Sequence, residues 1–282
     1  MNSDKTGLWR QISIKDYAEI RRQSGTQIVE SGGVFWRRVR PLFYRPIFPF
    51  QLLSPAHCRP PAVHWLGCAQ YAVSDLTTAN SQMRALVFDD VQGYTLAGLS
   101  KNGRDHVRKG GKKFEVRPLT DTKLLSSSGH AVYLSFLERT KYDHFDERRD
   151  PKVFAEWAEV TIASGSTCVL GAMAGEQLVA VGSLQLCEDI LCFSIFFAET
   201  DALKDYVSDL MLHCIRERAA TVPNIRLIFL REPGKERGLD DFYLRRGARI
   251  LNLPSRLTGN PLALSFLKFA SPKKYQKLIG AS

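Results

Sequence analysis

Glu232, Tyr243 and the cations Arg104, Arg108 and Lys109 are the residues whose types and surroundings bear most directly on chemistry. Glu232 ends an apolar run at 225–230, and strand ends line the clefts of open sheets, so its carboxylate is placed to act as a base for an amine. Glu188 and Asp189 form a second carboxylate pair, in a turn. Tyr243 sits on a short helical stretch that Gly247 stops, and a phenol within hydrogen-bond reach is a proton donor. The cations lie on a helical stretch and gather charge for an anion. The loop at 139–150 is dense in groups able to hold a polar acceptor, among them Tyr142, His144 and Arg148. The six cysteines show no Cys-x-x-Cys and no paired His spacing, which reads as reduced thiols in a cytoplasm and no metal site.

The elements that must position these groups emerge from periodicity. Residues 1–25 read as an amphipathic helix, and 26–30 and 34–39 as strands about a Gly32-Gly33 turn. The proline-rich stretch 40–61 is expected to hold no regular element. Strands are expected at 65–72 and 83–88, then a helix at 96–109 stopped by Gly110-Gly111, and a short strand at 114–118. Helices come next at 120–139 and 152–163. Residues 167–174 and 178–186 flank Gly175-Glu176-Gln177 as a hairpin. The almost wholly apolar 190–197 is a strand covered on both faces. One amphipathic helix is expected at 202–220, then a buried strand at 225–230, a short helix at 239–246 and a strand at 249–251. An extended crossing and a basic helix complete the chain from 254 to 282.

This order of elements, with Phe242-Tyr243-Leu244-Arg245-Arg246-Gly247 closing the block 166–251, resembles the acyl-CoA half of the Gcn5-related N-acetyltransferase (GNAT) superfamily. Ser100-x-x-x-Arg104-x-x-Val107-Arg108-x-Gly110, with a short strand after it, resembles the Fem-type subgroup, which carries two GNAT-like halves, the first often degenerate. The resemblance implies an α/β (α+β) fold, a mixed sheet flanked by helices. It also implies a degenerate lobe at 1–118, an acyltransferase lobe at 119–253 and an extension at 254–282 packing on both. In such a fold the pantetheine arm lies where the strand at 190–197 splays from that at 225–230. Phe196, Phe197 and Ala198 would line the arm, backbone amides there polarising the carbonyl. The pyrophosphate would meet the helix opening at Thr200, where helix amides favour anions. The glycine loop usual at that point is missing, Glu199 and Asp201 stand there instead, and Lys204 and Ser208 are the nearby compensations. Tyr243 would protonate the departing thiolate, Glu232 would be the base, and Arg104 and Arg108 would hold an anionic substrate or a vestigial phosphate site.

Three functions of different classes are compatible with these residues. One is an N-acyltransferase moving an acyl group, such as acetyl, from acyl-CoA to an amine of a small molecule, sugar or peptide. The second is a bacterial Fem-type enzyme that draws an aminoacyl group from tRNA and acts on a cell-envelope or polysaccharide precursor. The third is a non-catalytic GNAT-like protein binding an anionic surface. A net charge of +10 attracts CoA phosphates, tRNA and anionic lipid alike. No apolar run reaches the length of a membrane span, which leaves peripheral membrane contact. Residues 35–50 mix cations with aromatics, as membrane and nucleic-acid surfaces do and as packed interfaces also do.

Overall fold

The computed structural model describes residues 9–62, 66–140, 146–234 and 237–280. The chain begins β1 (Gln11–Ile12), α1 (Ile14–Gln23), β2 (Ile28–Ser31), β3 (Val34–Arg40), β4 (Phe43–Pro46), β5 (Cys68–Ala72) and β6 (Ser81–Phe88). It continues α2 (Lys101–Lys113), β7 (Glu115–Pro118), α3 (Thr122–Thr140), α4 (Pro151–Ala163), β8 (Cys168–Ala174), β9 (Gln177–Cys187) and β10 (Ile190–Ala198). Then come α5 (Thr200–Lys204), α6 (Val207–Ala220), β11 (Leu227–Arg231), α7 (Arg237–Leu244), β12 (Arg249–Gly259), α8 (Pro261–Ala270) and α9 (Pro272–Ile279). The architecture is mixed α/β, with helices flanking a mixed sheet.

Two compact units emerge: Met1–Ile12 with Val87–Arg249, and Ser13–Leu86 with Ile250–Ser282. The expected boundary at 118 differs for a physical reason. Helix α2 packs along α6, and β7 is laddered to β8, so both stay with the larger unit. The expected boundary at 253 likewise gives way to a break after Arg249, because β12 continues to Gly259 in register with β5.

In the larger unit the strands run β7-β8-β9-β10-β11, and β1 pairs in parallel with the end of β9. The β8–β9 hairpin turns at Gly175, whose φ of 61° is the left-handed conformation glycine adopts without strain. Its core lies between the sheet and helices α3 and α4. Phe154 and Phe197 are both buried there, and Tyr133 meets them with ring centroids 5.4 Å from each. Aromatic contacts of this kind add roughly 0.5–1.5 kcal/mol each beyond area burial.

The smaller unit orders its strands β2-β3-β4-β5-β12-β6. Strand β4, inside the stretch expected to be irregular, forms because both prolines stand at its limits. Pro41 precedes it, and Pro46 is its last residue, opposite Trp36. Much of the aromatic stretch is interior: Trp36, Phe43, Tyr44 and Phe48 are buried. Phe43, Cys68 and Leu257 form a small cluster against which Leu264 of α8 and Leu278 and Ile279 of α9 pack. Helix α1, shorter than expected, opens with a reciprocal capping box between Ser13 and Asp16. No helix among the described residues is long and apolar enough to cross a membrane.

Candidate functional site

Strand β10 runs parallel to β11 over only three registered pairs, Ile190–Leu227, Leu191–Ile228 and Cys192–Phe229. Past Cys192 it stays with β9 through Ala198, after a register shift between Phe193 and Ile195. The expected splay is therefore present, starting beside Phe193.

Beyond the splay, the chain departs from a phosphate site. The single helix expected at 202–220 is broken, because Tyr206 takes a left-handed φ of 66° between α5 and α6. The first residues of α6, Val207, Ser208 and Asp209, are all buried. Helix α2 closes over them. A Cβ built on Gly110 would lie 3.1 Å from both the Tyr206 carbonyl oxygen and the Leu210 Cβ. The same closure explains why α2 runs through Gly110-Gly111 to Lys113 instead of stopping there. Asp209 receives two hydrogen bonds from Arg246, at 2.9 and 2.7 Å, with His106 Nδ1 3.6 Å from the same carboxylate. His106 in turn stacks on Tyr206 at 4.1 Å and 15°. An acid at the third residue of α6 satisfies the helix dipole from within.

An open volume lies against this seal, with Val107, Asp209 and Arg246 in its lining. A cleft of about 340 Å³ is bounded by the segment from Phe88 to Gly103, one face of α6 and the residues after α7. Arg216, only 4 % exposed, is its fixed point. Its Nη2 donates to both Asp90 oxygens at 2.9 and 2.8 Å, and its Nη1 donates to the Arg246 carbonyl at 2.9 Å. Its guanidinium carbon lies 4.1 Å from the Phe88 ring centroid and 3.9 Å from that of Tyr94. Its Nε is buried without a hydrogen-bond partner.

Beside it, the Tyr94 hydroxyl and His213 Nδ1 are 2.9 Å apart. Burial pushes the Tyr94 phenol up to about 12, so it keeps its proton. Burial also lowers His213, against the opposing pull of Glu217, so the imidazole is held towards its neutral form. The Glu217 carboxylate stands 3.8 Å from His213 Nε2 and favours a proton there. Nδ1 is then the acceptor of the Tyr94 O–H bond. The pair is a phenol hydrogen-bonded to a neutral base on a cleft wall, which is the equipment of a proton relay. No group of three or more metal-ligating side chains is found among the described residues.

No protein-family profile and no curated protein matches the chain. Solved structures do. The C-terminal DUF2156 domain of a protein described as a lysylphosphatidylglycerol synthetase, from Agrobacterium fabrum, superposes with a TM-score of 0.57 at 12% identity, covering 94% of this chain and 93% of that one. FemX does so with 0.56 at 9% identity, covering 90% and 92%. The L-PGS of Bacillus licheniformis gives 0.50 at 12%, covering 91% and 90%. The fold is GNAT-like and Fem-like.

Within this GNAT-like fold the expected site residues scatter. Tyr243 lies on α7, buried between Arg231 and Arg246, and burial pushes its phenol up to about 12. It is not among the residues lining the 340 Å³ cleft. Glu232 is half-buried just past β11, its carbonyl accepting from Arg231 Nε at 3.3 Å. Phe196 is half-buried on β10, whereas Phe197 faces the core formed with α3 and α4. The Ala198 carbonyl accepts from Arg139 Nη1 at 3.0 Å. Lys204 is exposed and tied to Asp201 at 2.7 Å, and Ser208 is buried in the sealed turn.

Arg104 turns back on the carbonyls of Ala97 and Leu99, at 3.2 and 2.5 Å, and so closes the turn before α2. Arg108 is exposed beside Asp105 at 3.5 Å. Arg148 is buried with its guanidinium 4.8 Å from the Trp157 ring centroid. Tyr142 and His144 lie outside the described residues. None of Asp90, Tyr94, His213 and Arg216 is marked by spacing. The only trace in sequence is that a histidine and an arginine three residues apart share one face of α6, with Asp209 one turn earlier on the same face.

Proposed function

We propose that the chain is a Fem-type transferase that takes an aminoacyl group from the ester of a charged tRNA and passes it to an amine or hydroxyl acceptor. The observation carrying this reading is the closed start of α6. Val207, Ser208 and Asp209 are buried with α2 against Tyr206 and Leu210, and the opening of α5 at Thr200 is flanked by the acids Glu199 and Asp201, an entrance that disfavours a CoA pyrophosphate. A cleft with a fixed guanidinium and a phenol–imidazole pair stands open instead.

In the reaction the acceptor nitrogen or oxygen forms a bond to the ester carbonyl, and the bond from that carbonyl to the ribose oxygen breaks. The acceptor proton passes to the Tyr94 oxygen as the Tyr94 proton passes to His213 Nδ1, and the leaving ribose oxygen is reprotonated by the same path in reverse. Arg216, held by Asp90 and the Arg246 carbonyl, fixes the wall against which Tyr94 and His213 are set. A cell-envelope precursor or lipid headgroup is the acceptor class matching the proteins this fold is similar to.

A second reading, an acyl-CoA N-acyltransferase with Tyr243 as acid and Glu232 as base, draws on the splay after Cys192. One experiment separates the two. The purified chain is titrated calorimetrically with acetyl-CoA, and in parallel incubated with bulk tRNA charged with radiolabelled amino acids and a mixed acceptor pool. Label leaving tRNA for an acceptor, with no heat from millimolar acetyl-CoA, is expected. Micromolar acetyl-CoA binding with no label transfer would overturn the first reading in favour of the second.

A further inference from the structure

Helix α8 shows an apolar stripe with nothing on it. Leu262, Phe266 and Phe269 are 81%, 71% and 89% exposed. Their spacing of four and then three residues puts all three on one face of the helix. Leu264, on the opposite face, is the residue that packs inward, against the Phe43–Cys68–Leu257 cluster. The stripe is thus the outward side of a helix whose inward side is already satisfied.

The stripe does not stand alone in the smaller unit. The Leu42 carbonyl accepts from the Cys68 amide at 2.9 Å, and the Gly67 carbonyl accepts from the Asn260 amide at 3.0 Å. These bonds join the turn after β3, the segment before β5 and the start of α8 around Gly67. Each contributes an exposed leucine: Leu42, Leu66 and Leu262. Exposed apolar groups drawn from three segments to one place mark an interaction surface.

Charge identifies what covers it. No Asp or Glu occurs anywhere after Asp241, while Arg256, Lys268, Lys273, Lys274 and Lys277 all do. Arg38 and Arg40 are exposed on β3, next to the turn that carries Leu42. The segment that carries this Leu and Phe stripe, with exposed Lys268 and Lys273 beside it in the chain and no acid in its sequence, complements a surface that is hydrocarbon beneath and anionic on top. A nucleic acid would complement the charge but would leave the leucines against water, since it offers bases for stacking and no hydrocarbon. We propose that this face of α8, with Leu42 and Leu66, docks on an anionic lipid bilayer. It lies flat on the headgroups with its phenylalanines in the acyl boundary. The proposal stands apart from the chemistry assigned to the cleft.

The test is co-sedimentation of the full chain with vesicles of phosphatidylcholine alone or mixed equally with phosphatidylglycerol, with no donor present. Partitioning onto the mixed vesicles is expected to exceed that onto the neutral ones by at least about tenfold, since each cation near an anionic surface contributes roughly fivefold. It should fall steeply in high salt. Phe266→Asp with Phe269→Asp is expected to lower partitioning about tenfold or more, with an unchanged thermal midpoint because neither ring is in the core. The single change Phe269→Trp should show a blue-shifted emission on mixed vesicles. Equal sedimentation of the parent and the double variant overturns the proposal. So does a dimer by light scattering that the double variant dissolves, which assigns the face to a second copy. Loss of tRNA retention in the double variant, without vesicle binding by the parent, assigns it to nucleic acid. Label transfer to a soluble acceptor tests the cleft independently, so failure of one idea is not failure of the other.

Discussion

Arg216 on α6 and Asp90, 126 positions earlier, are joined by two hydrogen bonds of 2.9 and 2.8 Å, the arginine buried and the carboxylate more than half exposed. The asymmetry decides how the pair responds to substitution. Removing Asp90 strands a guanidinium that stays buried and whose Nε already has no partner. Asp90→Ala should cost roughly 2 kcal/mol, below the 3–5 kcal/mol of a fully buried pair because water reaches the carboxylate. Urea unfolding measures this. Arg216→Met added to Asp90→Ala should recover part of the loss, since no charge is then left unpaired.

The Tyr94–His213 pair makes a pH prediction. His213 has its folded-state pKa lowered by burial, so below the ordinary histidine range the unfolded chain binds a proton the folded chain refuses. Its contribution to stability is present above that range and lost as pH falls through the depressed folded value. The drop in thermal midpoint between pH 7.5 and pH 5 should therefore be smaller in His213→Asn than in the parent. An equal drop in both would show that His213 titrates alike in the folded and unfolded states.

Tyr94→Phe removes the phenol and leaves Nδ1 of His213 without its donor. About 1 kcal/mol of stability should be lost, and transfer activity should fall by about 10²-fold or more with substrate binding little changed. Tyr243→Phe, away from the cleft lining, should leave that activity within about threefold if the relay is the acid–base device. The reverse ranking would move the chemistry to the splay.

Gly110 and Gly111 are adjacent on α2 and should respond with opposite signs. A methyl group on Gly110 meets the Tyr206 carbonyl oxygen and Leu210 Cβ at 3.1 Å, whereas on Gly111 it meets only Leu210 Cδ1, at 3.8 Å. Gly111→Ala should stabilise by about 0.5–1 kcal/mol through helix propensity. Gly110→Ala should lose about 1 kcal/mol net, because overpacking against backbone exceeds that gain. Thermal melts of the two variants decide it.

Burial pushes Cys58, Cys68 and Cys214 up to about 11 and Cys168 up to about 12. Well under about 1% of each is thiolate at pH 8. Ellman's reagent should label the native chain slowly, and label six thiols at once after guanidinium unfolding. A fast native burst would place a thiol in open solvent.

Most strands and helices are legible from local pattern, because their burial on one or both faces leaves a period in the sequence. The failures share one cause. The glycines of α2 read as a stop, yet glycine is needed at 110 so that α2 can touch Tyr206, a residue 96 positions later whose own left-handed turn breaks the helix expected to be continuous. Strand β4 is hidden because its prolines mark its ends instead of forbidding it. The cleft is illegible for a stronger reason. Tyr94 and His213 are 119 positions apart, and neither lies in a motif; only packing of α6 brings them within 2.9 Å. Tyr243, by contrast, stands out in the sequence by its place before Gly247, which is a statement about helix ending as much as about chemistry.

The three-pair contact of β10 with β11 has a mechanical consequence. Beyond Cys192 no ladder bond ties these strands together, so the resistance to prying them apart there comes from side-chain contact alone. That resistance is graded and elastic, where a hydrogen-bonded ladder is all-or-none. The fork is therefore a compliant joint between β10 and β11, and strain introduced at Phe193 should be relieved there before β10 lets go of β9.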